Sequence, residues 1–239
     1  MVPNAPLTLY EELMLLALRE KEGTMRAGSW APHALAGAIV AELMLRGRVR
    51  VEDPKKKLLG VAVGPGLRAG TLGDDLLDEC LAKIRDAKRR ASIQSWVSRF
   101  ANMRGLKERV ARQLVRRGIV RADEDKVLGI FTRKIYPEID PKPERALIER
   151  VRAAVLAPAA ASRAGEPSVD ARTSVLLALA KSAEVLPAIF TKEEIKANKK
   201  RFEAIQKGDL VGKETREAIE ALRAALIVAA VVPAIVASH

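Results

Sequence analysis

The segment that follows Thr8 constrains the fold of this chain more than any other. Thr8 and Glu11 have the spacing of a capping box, which predicts the start of a helix. Residues 13–18 are apolar nearly all round that helix, so it has no polar face to turn towards solvent. Such a helix is stable only when other elements enclose it. We therefore predict that it lies at the centre of the core and ends at Gly23.

Periodicity and capping residues predict that further helices follow along the chain. Apolar residues make up 49% of the sequence but aromatic residues only 3%, a composition that favours helices over strands. One helix is predicted at residues 73–90, where acidic residues at the start and basic residues at the end complement the helix dipole. The other predicted helices span residues 32–47, 93–100, 106–114, 144–156, 170–183, 192–207 and 214–236, and residues 157–168 form a loop.

A helix followed by a hairpin is predicted twice. Residues 45–53 and 115–123 each end a helix at Arg-Gly and continue into a strand and an acidic turn. The second strands begin near Leu58 and Val127, and the turn of the second hairpin holds Asp123, Glu124 and Asp125. Helix plus hairpin is the end of a winged-helix unit, so a nucleic-acid-binding protein is one hypothesis that the residues leave open.

The positive charge is concentrated in one stretch. The chain carries 42 Lys and Arg against 30 Asp and Glu, a net charge of +12. Residues 83–121 contain thirteen basic and two acidic residues, which is nearly the whole excess. Because uncompensated like charge destabilises a fold, this stretch predicts an anionic partner: nucleic acid, an acidic membrane surface or an acidic protein.

Cysteine and histidine, two residue types used in catalysis and metal binding, are scarce. With one cysteine, Cys80, and two histidines, His33 and His239, the sequence offers neither a disulfide framework nor a cysteine-rich zinc site. Cys80 is predicted to be a core thiol, and the acidic cluster that begins at Asp74 is predicted to match the start of a helix. We expect no enzyme activity, no metal and no cofactor.

Trp30 is the aromatic residue with the clearest functional interpretation. It stands just before Pro32, at the predicted start of a helix, where free backbone N–H groups favour an anion. An indole N–H at such a place suits a phosphate headgroup. The alternative is a tryptophan that covers the edge of the core.

Five segments together resemble the Golgi phosphoprotein 3 family, in order from about Leu7 to the C-terminus. They are residues 7–23, 42–48, 74–79, 107–118 and 176–186. The resemblance implies one mainly α domain over residues 7–239, with a helical-bundle core and a protruding β-hairpin, after a short extension at residues 1–6.

The resemblance also implies a function. Eukaryotic members are cytosolic peripheral membrane proteins that bind phosphatidylinositol 4-phosphate and the cytosolic tails of membrane enzymes. We therefore expect a cytoplasmic adaptor on the cytosolic face of a membrane, with anionic or phosphoinositide lipid as its partner. Nucleic acid becomes the less favoured partner.

The resemblance assigns site residues as well. The family's headgroup pocket uses one tryptophan and three basic residues, and Trp30, Arg104 and Lys107 match three of these four positions, while the third basic position falls on Ala36. The family's hairpin tip enters the bilayer. The matching apolar residues here are Val127, Leu128, Ile130 and Phe131, flanked by Lys126, Arg133 and Lys134.

Overall fold

The computed structural model describes residues 6–19, 21–26, 31–53, 55–62, 71–127, 131–157 and 169–207, and over these residues the fold is mainly α. The helices are α1 (Leu9–Ala17), α2 (Ala31–Leu45), α3 (Asp75–Arg85), α4 (Ile93–Ala101), α5 (Leu106–Arg116), α6 (Lys142–Leu156), α7 (Ala171–Ser182), α8 (Lys192–Ala197) and α9 (Lys199–Lys207). The strands are β1 (Val49–Asp53), β2 (Leu58–Val61), β3 (Ala91–Ser92), β4 (Asp123–Val127) and β5 (Phe131–Ile135).

Helix α1 is central, as predicted. Every residue from Leu9 to Ala17 is buried, and α1 packs against α2, α5, α6 and α7. The capping box is confirmed: the Thr8 N–H donates to Glu11 Oε2 at 2.7 Å, and the Thr8 side chain accepts from the Glu11 N–H. The predicted end at Gly23 is wrong, because Leu18 is extended and pairs with Met25, so the helix stops at Ala17.

The predicted apolar stripes of α4 and α5 are confirmed, since Ile93, Trp96, Val97 and Phe100 of α4 and Leu106, Val110 and Leu114 of α5 are all buried. Beyond α1, the two largest departures from the predicted helices concern α3 and the last described helices. Helix α3 ends at Arg85 rather than at residues 88–90, and the predicted helix 192–207 is divided at Asn198, whose backbone is not helical. The predicted helix 214–236 and residues 158–168 of the predicted loop lie outside the described residues. No helix in the described ranges is long and apolar enough to cross a bilayer.

The strands form two antiparallel sheets. β1, β2 and β3 pair in that order, and β4 pairs with β5 in the register Asp123↔Ile135 to Val127↔Phe131. A helix followed by a hairpin is therefore found twice, but the second hairpin lies further along the chain than predicted, because Val127 ends β4 instead of beginning the second strand. The acidic turn of the second unit is wrong: Asp123, Glu124 and Asp125 lie within β4. Basic residues of β5 face two of them, since Glu124 is opposite Lys134 and Asp125 is opposite Arg133, which donates to it at 2.6 Å.

Buried carboxylates tie α1 and α2 to later helices. Glu11 and Glu42 are 0% and 2% exposed. Arg117, which follows α5, donates to Glu11 at 2.8 Å, and Arg172 of α7 donates to Glu42 at 3.1 Å. Paired in this way, the charges are tolerated inside the core.

Cys80 of α3 is a buried core thiol, as predicted, with its Sγ 3.8 Å from Met103 Sδ. Burial raises the pKa of the thiol to about 12. Because the thiolate is the reactive form, we expect iodoacetamide to modify Cys80 roughly a thousandfold more slowly in the native protein than in urea. Mass spectrometry of quenched samples measures both rates. Equal rates would show that the thiol is accessible in the fold.

Candidate functional site

Arg104 and Lys107 lie together where α5 begins. Arg104 is in the turn that joins α4 to α5, and Lys107 is the second residue of α5. Both side chains are exposed, and neither forms an ion pair or hydrogen bond with any other described residue. The structure therefore places the predicted basic pair at one helix end, with its charge available to solvent.

The N-terminus of α5 has no side-chain cap. Its N-cap residue is Gly105, whose left-handed backbone, with φ 66° and ψ 28°, carries no side chain that could accept from the first turn. Backbone N–H groups at such an end lack intrahelical acceptors and attract negative charge. Glu108 adds one carboxylate to this turn, but Arg104 and Lys107 leave the local charge positive. This uncapped helix start was not predicted from the sequence, although a glycine directly before the basic helix, Gly105, indicates it.

Several other cations of the basic stretch at residues 83–121 contact residues of the protein itself and so stabilise the fold. Glu79 of α3 accepts from Arg109 at 2.6 Å and lies 3.5 Å from Lys83. Although partial burial opposes the shift, these two cations hold the pKa of Glu79 below its ordinary value. Arg99 stacks over the Trp96 ring at 4.7 Å from its centroid. The stretch therefore divides into structural cations and an exposed remainder that includes Arg104 and Lys107.

The remaining predicted pocket residues are placed only in part. Trp30 lies outside the described residues, and α2 begins at the next residue, Ala31. Ala36 is 0% exposed in α2, so this position offers no surface to a ligand. His33 is half-buried, and burial lowers its pKa.

The predicted apolar tip lies only partly within the described residues, at the end of the two-stranded ribbon that β4 and β5 form. Val127 and Phe131 form the last pair of the ribbon, while Leu128 and Ile130 lie outside the described residues. Of the basic residues beside the tip, Lys126 and Lys134 are exposed, and Arg133 is paired with Asp125. The strand register thus brings Val127 and Phe131 to the same end of the ribbon.

These features define a class: a mainly α protein whose surface carries an uncapped helix start beside two exposed basic residues. Comparison with known proteins identifies the group within that class. The chain belongs to the Golgi phosphoprotein 3 (GPP34) family, whose model matches residues 9–222, so the resemblance is confirmed.

One curated relative is "Vacuolar protein sorting-associated protein 74" of Eremothecium gossypii. It is 29% identical over 165 residues, which is 61% of this chain. The match spans about half, 48%, of that relative's length.

Proposed function

We propose that this chain is a peripheral membrane protein that binds anionic lipid through the start of α5. The observation that supports the proposal most directly is the uncapped N-terminus of α5 between two exposed cations without partners in the described structure, Arg104 and Lys107. A phosphate group there accepts from backbone N–H groups and both side chains at once. Trp30 completes the site by resemblance, and phosphatidylinositol 4-phosphate is the ligand that the family implies.

The apolar end of the β4–β5 ribbon is the second part of this proposal. Val127, Leu128, Ile130 and Phe131 enter the interfacial region, while Lys126 and Lys134 remain at the headgroup level. Apolar insertion and electrostatic attraction add to each other at a membrane surface, and stable anchoring usually needs two such signals. A cation pocket and an apolar tip supply one signal each.

The proposed role is that of an adaptor that acts by binding rather than catalysis. On the cytosolic face of a membrane, its further partners would be the cytosolic tails of membrane enzymes. The family name and the relative's name favour this role over the nucleic-acid alternative, because they refer to the Golgi and to vacuolar protein sorting.

Vesicle flotation tests the proposal. The chain is mixed with vesicles of phosphatidylcholine alone, with added phosphatidylglycerol, or with added phosphatidylinositol 4-phosphate. We expect recovery only with the anionic vesicles, and the strongest recovery with the phosphoinositide. Equal recovery with neutral vesicles would contradict membrane binding through this site.

The double variant Arg104→Glu with Lys107→Glu, which reverses the charge of the basic pair, should bind anionic vesicles about thirtyfold more weakly or worse. Each cation near an anionic surface contributes about 1 kcal/mol, so losing two accounts for that factor before any repulsion is added. The matched control is Arg112→Glu with Arg116→Glu, which makes the same charge change on exposed residues further along α5. An equal loss in both variants would indicate diffuse attraction and contradict the site.

A further inference from the structure

A run of residues without acidic side chains extends from the turn after α3 to the first turn of α5. Residues 87–107 contain six basic residues and no Asp or Glu. Residues 88–90 are basic and precede α4, Arg99 lies within it, and Arg104 and Lys107 follow it. The proposed function uses only the pair that follows α4. The basic group that precedes α4 therefore has no part in the site described so far.

The turn between β1 and β2 brings further cations to the start of α4. This turn contains Lys55, Lys56 and Lys57, of which the first two are exposed. The Lys57 carbonyl accepts from the N–H of Ile93, the first residue of α4, at 3.0 Å. β2 follows this turn and pairs with β3, which begins directly after residues 88–90. Two basic segments that are distant in the sequence therefore border one small sheet at the start of α4.

The carboxylates close to these two segments have other partners. Asp53 accepts from two backbone N–H groups of the β1–β2 turn at 2.9 and 3.0 Å. Glu52 pairs with Arg90 at 2.8 Å, and Asp86 pairs with Arg85 at 2.8 Å. Four exposed side chains of the two segments form no ion pair or hydrogen bond with any described residue, and we call them the second basic patch: Lys55, Lys56, Lys88 and Arg89.

The surface between the second basic patch and the start of α5 is polar. Gln94, Ser98 and Asn102 are exposed along α4 and at its end. Among the described residues, the exposed large apolar side chains are Ile139 and Leu156, and neither belongs to α4 or its flanks. Contact through this surface therefore depends on charge and hydrogen bonds, which suits lipid headgroups rather than acyl chains.

The arrangement of the charges favours a planar partner over a compact one. The nine residues of α4 make a helix about 14 Å long, with the second basic patch at its start and Arg104 and Lys107 beyond its end. One phosphate group cannot contact cations at both ends of such a helix. An anionic bilayer presents many headgroups in one plane, and each cation close to that plane adds to the attraction.

We propose that the second basic patch binds further anionic headgroups of the same membrane, so that α4 lies along the membrane surface. The inference rests on the proposed function, because the start of α5 supplies the other contact. Once one end of α4 is bound, headgroups near the other end are at a high effective concentration. The two contacts therefore strengthen each other and hold the chain in one orientation on the bilayer.

Charge reversal tests the second basic patch. The variant Lys56→Glu with Arg89→Glu should bind vesicles of phosphatidylcholine with phosphatidylglycerol about thirtyfold more weakly than the wild-type chain, because two cations are lost from an anionic surface. The matched control is Lys196→Glu with Lys200→Glu, which makes the same charge change on exposed residues of α8 and α9. The control should bind like the wild-type chain, and circular dichroism should show the same helix content in all three.

A fluorescent label tests the position of α4 independently. Gln94→Cys and Ala197→Cys each add a thiol at an exposed position, on α4 and α8 respectively. Burial raises the pKa of the Cys80 thiol to about 12, so a polarity-sensitive maleimide labels the added thiol instead. Vesicles with phosphatidylglycerol should increase the emission of the label at position 94 and leave the emission at position 197 unchanged.

Three outcomes would overturn the inference. In the first, the variant of the second basic patch binds vesicles fully while the variant of Arg104 and Lys107 does not, which leaves the proposed function intact. In the second, emission at position 94 is unchanged in the vesicle-bound chain. In the third, the variant of the second basic patch loses binding to poly-glutamate but not to vesicles, which would assign the patch to an acidic protein. A wild-type chain that does not bind anionic vesicles would contradict the proposed function itself, and the inference with it.

Discussion

Replacing Arg117 by alanine should lower the free energy of unfolding by about 3–5 kcal/mol, the cost of leaving a buried charge without its partner. Arg117 is 10% exposed and Glu11 0% exposed, and two guanidinium nitrogens donate to the two Glu11 oxygens at 2.8 and 3.1 Å. In Arg117→Ala, Glu11 retains its contacts with Thr8 but has no cation among the described residues. Urea denaturation followed by circular dichroism measures the loss.

The neighbouring residue provides the control for that prediction. Arg116 is exposed and ends α5, so Arg116→Ala should cost less than about 1 kcal/mol. Adding Glu11→Gln to Arg117→Ala removes the stranded charge and should recover part of the stability. If Arg117→Ala were no more costly than Arg116→Ala, the buried pair would contribute nothing to the fold.

Local sequence patterns predicted the helices well, because helix caps and apolar stripes depend on residues that are close together in the chain. The Thr8 capping box, the Asp74 N-cap of α3 and the stripe at Ile93, Trp96 and Phe100 each depend on residues within one or two turns. Patterns of this length are visible in a single sequence. The basic pair, Arg104 and Lys107, came instead from the family resemblance, and its role stays a prediction.

Contacts between distant segments could not be predicted in the same way. Arg117 belongs to a stretch that the sequence assigns to an anionic partner, yet its partner is Glu11, 106 residues earlier. Nothing near Arg117 distinguishes it from the exposed Arg116. The turn of the second hairpin was misplaced for a similar reason, because Asp125 is held in β4 by its pairing with Arg133 of the other strand. Charge alone therefore identified a surface, and only the fold divides it into structural and exposed cations.

Gly23 is a second position whose residue type is determined by a contact with a distant segment. Gly23→Ala should destabilise the protein by about 3 kcal/mol. Its backbone is left-handed, with φ 61°, and an added Cβ would lie 2.3 Å from the Pro137 nitrogen and 2.5 Å from the Tyr136 backbone. Backbone atoms cannot rotate away as a flexible side chain can. The alanine therefore has to displace the segment that follows β5, where the Tyr136 N–H donates to the Gly23 carbonyl at 2.8 Å.

Gly47 is the control that separates the two causes of the stability loss in Gly23→Ala, which are the left-handed backbone and the clash of the added Cβ. It has nearly the same backbone angle, φ 64°, but an added Cβ meets nothing within 4 Å among the described residues, so Gly47→Ala should cost only about 1 kcal/mol. The difference between the two variants measures the packing of Gly23 against the base of the ribbon. In Gly23→Ala, hydrogen exchange at the Tyr136 amide should also accelerate more than exchange in α4. Equal stability losses in both variants would mean that backbone angle alone accounts for the glycine at position 23, and that the ribbon is held by other contacts.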